Sequence, residues 1–339
     1  MGYTNFPNGI TSQGVPTMGI GPVVTQGNIF FVCPGTGNDG NSGTDIKRPF
    51  ATLDRALQFV TANQNDIVYL LSTTDAATPG TYRVPAGGGL NWNVDGVSLI
   101  GICAGQGVSN RARISNLSTD VTTNTLFTLS AKNCTIANLG LFHGVASWTG
   151  AASGVPMAMQ VSGQHNHIVN CAIQGLGDSA ATNSMDVSLG GSLGISGSEN
   201  LFEDCYVGLN TVPLGNTTAS EIQLNGALVS RNKFLRGEVT GRATSVNHRQ
   251  VRAAAASFQD IGMIFDKTNF TNSGTFQGGA TNDAVFTIGA SQQGVILLKD
   301  CGAVGSGLWE KATVSGNLYI TNPSVAAGKE GIATVAVGS

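Results

Sequence analysis

Charge is what this sequence has least of. Asp, Glu, Lys and Arg make up 11% of its 339 residues, against ~25% in an ordinary globular chain. The first charged residue is Asp39, so residues 1–38 carry none. Such a chain must build its surface from Ser, Thr, Asn, Gln and Gly. That is uncommon in a cytosolic housekeeping enzyme and common in long-lived extracellular or particle-bound β proteins. The net charge of −3 excludes any global pull toward nucleic acid or membranes. No apolar run approaches the ~18 residues of a membrane-spanning helix. Met1 to Val24 has neither a basic start nor a continuous apolar stretch, so no signal peptide is expected. Proline is scarce, at 10 residues beside 47 glycines, which fits tight turns and excludes collagen or a stiff linker. The 41% hydrophobic content excludes a disordered chain.

Motifs of cofactor and metal chemistry are missing too. There is no CxxC pair, and four scattered His make no zinc site. No phosphate loop, dinucleotide fingerprint or Ser-His-Asp order is present. No cofactor, metal or catalytic residue is therefore assigned from the sequence. Five of the six cysteines follow the repeat described next, which makes them small interior hydrophobes, and all are read as free thiols, as expected of a reducing cytoplasm.

What is present is a repeat. Ile168-Val169-Asn170-Cys171-Ala172-Ile173 reads as apolar, any, Asn or Asp, apolar or Cys, any, apolar. The pattern recurs at 136–141, 202–207, 258–263 and 298–303, and more loosely at 97–102 and around Asn232. The slot residues are Asn138, Asn170, Asp204, Asn232, Asp260 and Asp300, with gaps of 32, 34, 28, 28 and 40. Cys171, Cys205 and Cys301 share the next position, and Cys103 and Cys134 lie in similar strands. The apolar positions do not share one parity, so the strand must turn a corner at the slot. Asn and Asp tolerate left-handed backbone best after Gly. Strand, amide corner and strand, repeated at this period, predict a solenoid whose coils stack ~4.8 Å apart. The alternative is a set of unrelated hairpins.

Pro49 opens a helix expected over about 50–62, with Phe50, Leu53, Leu57 and Val60 on one apolar stripe. Such a helix suits the cap of an open solenoid end. Four boundaries follow: an uncharged extended arm at 1–28, an opening module at 29–72, coils at 73–322, and a tail at 323–339. The apolar residues of the arm, Tyr3, Phe6, Ile10, Val15 and Met18, are expected to dock on a partner, a sister chain or the chain's own coil. Inserts leave the stack at 144–156, 177–188, 209–220 and 237–251.

The opening module carries a resemblance. Asp39, Gly40, Asn41, Gly43, Thr44, Pro49, Phe50, Thr52, Leu53 and Ala56 match the strand, G-x-D-G-N-x-G-T turn and P-F-x-T-L helix of right-handed β-helix proteins of the pectate-lyase-like kind. It resembles them in fold over about forty residues. The start MGYTNFPNGITSQGVP is similar, over a shorter stretch, to the N-termini of structural proteins of tailed-phage particles. Together these imply an all-β, right-handed parallel β-helix with one short capping helix, assembled as a homotrimer on a virion. The partner implied is the major capsid protein or another virion protein. The implied role is capsid decoration or cementing, and the alternative is a tailspike that binds or cleaves host polysaccharide.

Asp204, Asp260 and Asp300 alternate with Asn in the corner slot, so geometry explains them. Asp178 and Asp186, with Glu199 and Glu203, are the acids that an enzyme groove would use. His165 and His167 are expected on one outer face. Arg231, Lys233, Arg236, Arg242, Arg249 and Arg252, with Glu238 alone against them, form a basic cluster that is either a solvated rim or a seat for an anionic partner. Trp92, Trp148 and Trp309 are too scattered for a sugar-stacking row.

Overall fold

In the computed structural model of the chain, the described residues are 11–12, 15–16, 27–72, 81–102, 112–116, 122–144, 157–175, 191–211, 220–224, 229–243, 248–253, 261–276, 282–288, 294–310 and 318–321. Three all-parallel sheets carry the architecture. Sheet I has ten strands running from Ile29–Val32 and Ile67–Leu71 to Leu318–Thr321. Sheet II has eight, from Thr81–Arg83 to Gly302–Val304. Sheet III has eight, from Leu90–Trp92 to Ser306–Glu310. Each coil contributes one strand to each sheet in turn, so neighbours in a sheet are about one repeat apart in sequence, as Ile136, Ile168 and Phe202 are. This is the expected parallel solenoid.

The inward side chains fill one continuous core. Phe202, Phe234 and Phe265 stack along its axis with ring centroids 5.8 Å apart at each step. Phe270 and Phe286 meet this column edge-on at Phe265, and Trp309 meets Phe270 edge-on in turn. Each fully buried Phe contributes about 1.5–3 kcal/mol.

The opening module closes the first coil. The helix is shorter than expected, Leu53–Leu57. Its start is fixed by Asp39, whose carboxylate accepts from Ala51 N, Thr52 N and Thr52 Oγ1 at 2.8, 3.0 and 2.9 Å. Thr52 then caps the helix by accepting from Arg55 N at 3.1 Å. Phe50 is therefore held out of the helix, bridges to Val32 and stacks on Phe30. Gly43 sits at φ +71°, where a Cβ would fall 2.1 Å from the Phe50 ring. The acidic turn residue Asp39 is thus occupied in shaping the turn.

Two sharp bends recur. Between sheets III and I the left-handed residues are Asn133, His165, Glu199 and Arg231. Between sheets I and II they are Asn138, Asn170, Asp204, Arg236, Lys267 and Asp300. Four of the expected corner residues stand there. Two do not. Asn232 lies within the strand Asn232–Leu235, and Arg236 takes the corner in its coil. Asp260 lies outside the described residues, and Lys267 takes the corner of that coil.

Asn232 instead ends a buried amide ladder. Its Oδ1 accepts from Asn200 N and Nδ2, both at 3.0 Å. Asn200 Oδ1 accepts from Asn166 N at 3.1 Å, and Asn166 Oδ1 from Cys134 N at 2.9 Å. The three amides also donate to Gly197 O, Gly163 O and Ala131 O. Buried backbone groups at the bend are thereby satisfied. A separate amide contact, Asn170 Nδ2 to Asn138 Oδ1 at 2.9 Å, links exterior corners along the stack.

The outer face of sheet I changes character along its length. At the N-terminal end a second apolar cluster gathers Ile67, Tyr69, Ile100 and Ala137, with Ile29, Phe31, Leu71, Ile102 and Val169 around it. Farther along, charged residues replace it.

Candidate functional site

The charged residues on sheet I and its bends form ladders from coil to coil. At the first bend Glu199 lies between two bases. His165 Nδ1 is 3.0 Å from Glu199 Oε2, and Arg231 reaches Glu199 Oε1 through Nη2 at 2.5 Å and Nε at 2.6 Å. At the second bend Arg236 donates to Asp204 from Nε at 2.9 Å and from Nη2 at 3.0 Å, and also holds Glu203. His167 Nε2 lies 2.9 Å from the other oxygen of Glu203. Lys233 meets Asp266 at 2.9 Å. The Arg236 hydrogen bond, ahead of His167, holds the Glu203 carboxyl below its usual range. Lys233 does the same for Asp266. Arg236 and Asp204 are about half exposed, so their pair is worth about 0–1 kcal/mol, whereas Glu203 is less exposed and Asp266 is buried. Their arrangement supports the left-handed bends, which Arg and Lys would not otherwise favour.

Sequence reasoning leaves Glu199 and Glu203 either as acids of a groove shared with Asp178 and Asp186 or as polar turn residues. The latter two lie outside the described residues. The former two face bases in neighbouring coils. His165 and His167 do share the exterior, each against its own glutamate.

The basic cluster divides. Arg231, Lys233 and Arg236 lie along sheet I with acidic partners, whereas Arg242 follows the sheet II strand Glu238–Gly241, Arg249 precedes the sheet III strand Val251–Ala253 and Arg252 lies within it. Arg249 is buried and donates from Nη1 to His248 O at 2.8 Å. Burial, then repulsion from Arg249, lowers the Arg252 pKa. One continuous rim of six cations is therefore not what the fold presents.

Beside Arg249 is a pair that the sequence reading passed over. His248 Nε2 lies 3.0 and 3.1 Å from the two carboxylate oxygens of Glu221, and both side chains are at most 1% exposed. Glu221 stands on the strand Ser220–Leu224, where Ile222 and Leu224 point into the core and Glu221 away from it. Gly208 and Gly241 let the backbone close around it, for a Cβ at Gly241 would fall 2.0 Å from Glu221 Oε1. Twenty-seven residues separate the partners, so only the fold joins them. The available signal was a lone carboxylate in a strand otherwise filled with buried residues.

The remaining candidates are interior or undescribed. Trp92 and Trp309 are buried, and Trp92 Nε1 donates to Val97 O at 2.9 Å. Trp148 lies outside the described residues. Cys33, Cys134, Cys171, Cys205 and Cys301 are buried free thiols, and Cys103 is not described. Of the arm residues only the backbone of Val15 is described, in Val15–Pro16 paired antiparallel with Thr11–Ser12; Tyr3, Phe6, Ile10 and Met18 fall outside. Among the described residues no group of three His, Cys, Asp or Glu is gathered to hold a metal.

Comparison with known proteins returns fold alone. No family model matches the chain, and no curated protein matches it. Among solved structures, pectate lyase Pel9A aligns with TM-score 0.49 and 12% identity, over 89% of this chain and 81% of that one. A rhamnogalacturonan lyase gives 0.47 and 16%, over 90% and 89%. The pectin methylesterase of Aspergillus niger gives 0.42 and 13%, over 88% and 85%. The chain is a right-handed parallel β-helix. Identities this low transfer no activity.

Proposed function

We propose that this β-helix is a structural subunit of a virion, a decoration or cement protein acting as a homotrimer on the particle surface. The observation that carries the reading is the set of coil-to-coil ion pairs. Glu199, Glu203, Asp204 and Asp266 each face a base one coil away. Acids so engaged brace a rod and are poorly placed for proton transfer to a sugar. The absence of charge from the first 38 residues, and the likeness of residues 1–16 to the N-termini of tailed-phage structural proteins, suggest the particle assignment. Many copies bound to an assembled shell would stabilise it by mass action, and threefold closure would bury lateral flanks. The major capsid protein, or another virion protein, is the partner this role requires. The test is the copy number in purified particles by gel densitometry. Hundreds of copies agree with decoration, whereas absence from the particle overturns it.

One observation favours a second reading, a tailspike that binds or cleaves acidic polysaccharide. Glu221 and His248 form a desolvated acid–imidazole pair, with Arg249 bonded to the His248 backbone. A buried carboxylate bonded to a buried imidazole is a pairing that acid–base sites use. Polysaccharide turnover by the full chain, abolished in Glu221→Gln while the fold persists, would replace the structural reading with this one.

A further inference from the structure

The C-terminal half of sheet I shows solvent an apolar stripe. Phe202, Phe234, Phe265 and Leu298 point into the core, so their strand neighbours Leu201, Leu235, Ile264 and Leu297 point out. These four are only partly buried, and Tyr319 of the last strand is 56% exposed. Register puts Ile264, Leu297 and Tyr319 in one row behind Lys233, and Leu235 in the next row beside Asp266. Every one of the five strands from Leu201–Glu203 to Leu318–Thr321 adds a side chain to the stripe. The other two faces differ over the same coils. Sheet II turns out Glu238, Asn269 and Thr271, and sheet III turns out Gln223, Arg252 and Thr287. Among the described residues the one large exposed apolar side chain on those two faces there is Val304, in the last coil.

The charges set among these apolar groups are already neutralised within the chain. Lys233 meets Asp266 at 2.9 Å, and Arg236 holds both Glu203 and Asp204. Ions so paired lose water at less cost than lone ones. Asp266 also carries an unmet demand. It faces outward between Leu235 and Lys299, yet its Oδ1 is buried and has no hydrogen-bond partner among the described residues. A buried acceptor calls for a donor, and on an outer face a second molecule can bring one.

The stripe runs along the rod with one step of ~4.8 Å per strand. A partner that meets every step must share this pitch, and a second copy of the chain does. About a threefold axis parallel to the rods, equal coils stand at equal heights. Five strands span ~19 Å and four residues along a strand ~13 Å, so the stripe covers ~250 Å². A stable interface buries ~800 Å² per partner, which makes the stripe the apolar centre of a contact and the paired charges part of its rim. We infer that the outer face of sheet I between Leu201 and Tyr319 is the contact between copies in the homotrimer. This rests on the trimeric reading proposed above and adds the face that closes it.

The full chain with Tyr319→Cys tests it, treated with a short bis-maleimide and read on a denaturing gel against the unsubstituted chain. Covalent dimers and trimers are expected. Asn269→Cys on sheet II and Thr287→Cys on sheet III should stay at the mass of one chain. Cross-linking from either of these in place of Tyr319→Cys, or none from Tyr319→Cys in a chain that light scattering shows to be trimeric, would overturn the inference. A native chain of monomeric mass would remove the trimeric reading itself, and the inference with it. Ile264→Glu/Leu297→Glu gives a second measurement, with its fold checked by circular dichroism. Its mass in solution should fall from three chains to one. A folded variant that remains trimeric sinks the inference and leaves the trimer standing.

Discussion

Arg236 grips Asp204 of the preceding coil with two hydrogen bonds, at 2.9 and 3.0 Å, while its own backbone is left-handed at φ 52°. The ladder and the bend therefore depend on one another. Glu203, held by the same guanidinium, has its carboxyl pKa lowered, and so has Asp266 through Lys233. A depressed carboxyl contributes stability above its unfolded pKa, ~4.3 for Glu and ~3.9 for Asp. That contribution fades as pH falls through the lower folded value. Arg236→Gln should melt below the native chain at neutral pH. The gap should close as melts are taken from pH 7 to pH 3, and a gap that widens in acid would contradict this.

Asn200 offers a sharper loss. Replacing it with Ala strips the partners from Asn166 N and Gly163 O, both inside the bend. An unmet buried polar group costs about 1–3 kcal/mol. Urea denaturation should show a loss of that size, and an unmoved midpoint would rule out the ladder as a stabilising device.

The aromatic column predicts a larger effect. Phe234 touches both Phe202 and Phe265 and is fully buried. Phe234→Ala should cost about 3–5 kcal/mol. Equilibrium unfolding checks it, and Phe59→Ala, at a residue 43% exposed, should cost clearly less.

Glu221 and His248 form a couple whose halves are not interchangeable. Removing one partner of a buried pair costs about 3–5 kcal/mol. Glu221→Ala should fall in that range, while Glu221→Leu/His248→Leu together should cost less than the sum of the singles. A double-mutant cycle with additive losses would dissolve the couple.

The thiols should be silent. Burial pushes Cys171 up to about 12 and Cys134 and Cys301 up to about 11, with Cys205 also raised. A thiol needs its thiolate to react. At pH 8 a disulfide reagent should leave Cys134, Cys171, Cys205 and Cys301 unlabelled in the native chain and label all of them in urea. Rapid native labelling of any of these four would refute their interior placement.

The solenoid was legible because Asn138, Asn170, Asp204 and Asp300 announce a left-handed bend by residue type. Arg236 and Lys267 make the same bend and look like surface cations in a linear reading. The repeat was consequently assigned to Asn232 and Asp260 in those coils. Asn232 was attractive because it is an amide, and it does serve a ladder, the interior one. A linear reading leaves Glu199 and Glu203 as either groove acids or polar turn residues, because the bases that hold them lie a full coil away. Glu221 and His248 were invisible for the same reason: stacking brings together residues about thirty positions apart, and local spacing carries no trace of it.

From the third such coil onward the passage from sheet I to sheet II is constant. Strands end at 137, 169, 203, 235, 266 and 299 and restart at 140, 172, 206, 238, 269 and 302, so two residues intervene in each of these coils, whereas the two coils before them, 71 to 81 and 102 to 113, take longer connections. The other two transitions take inserts of differing length. Beyond residue 137 one edge of the molecule is thus a ruler of constant pitch, and foreign peptides could be spliced into the remaining edges without shifting its graduations.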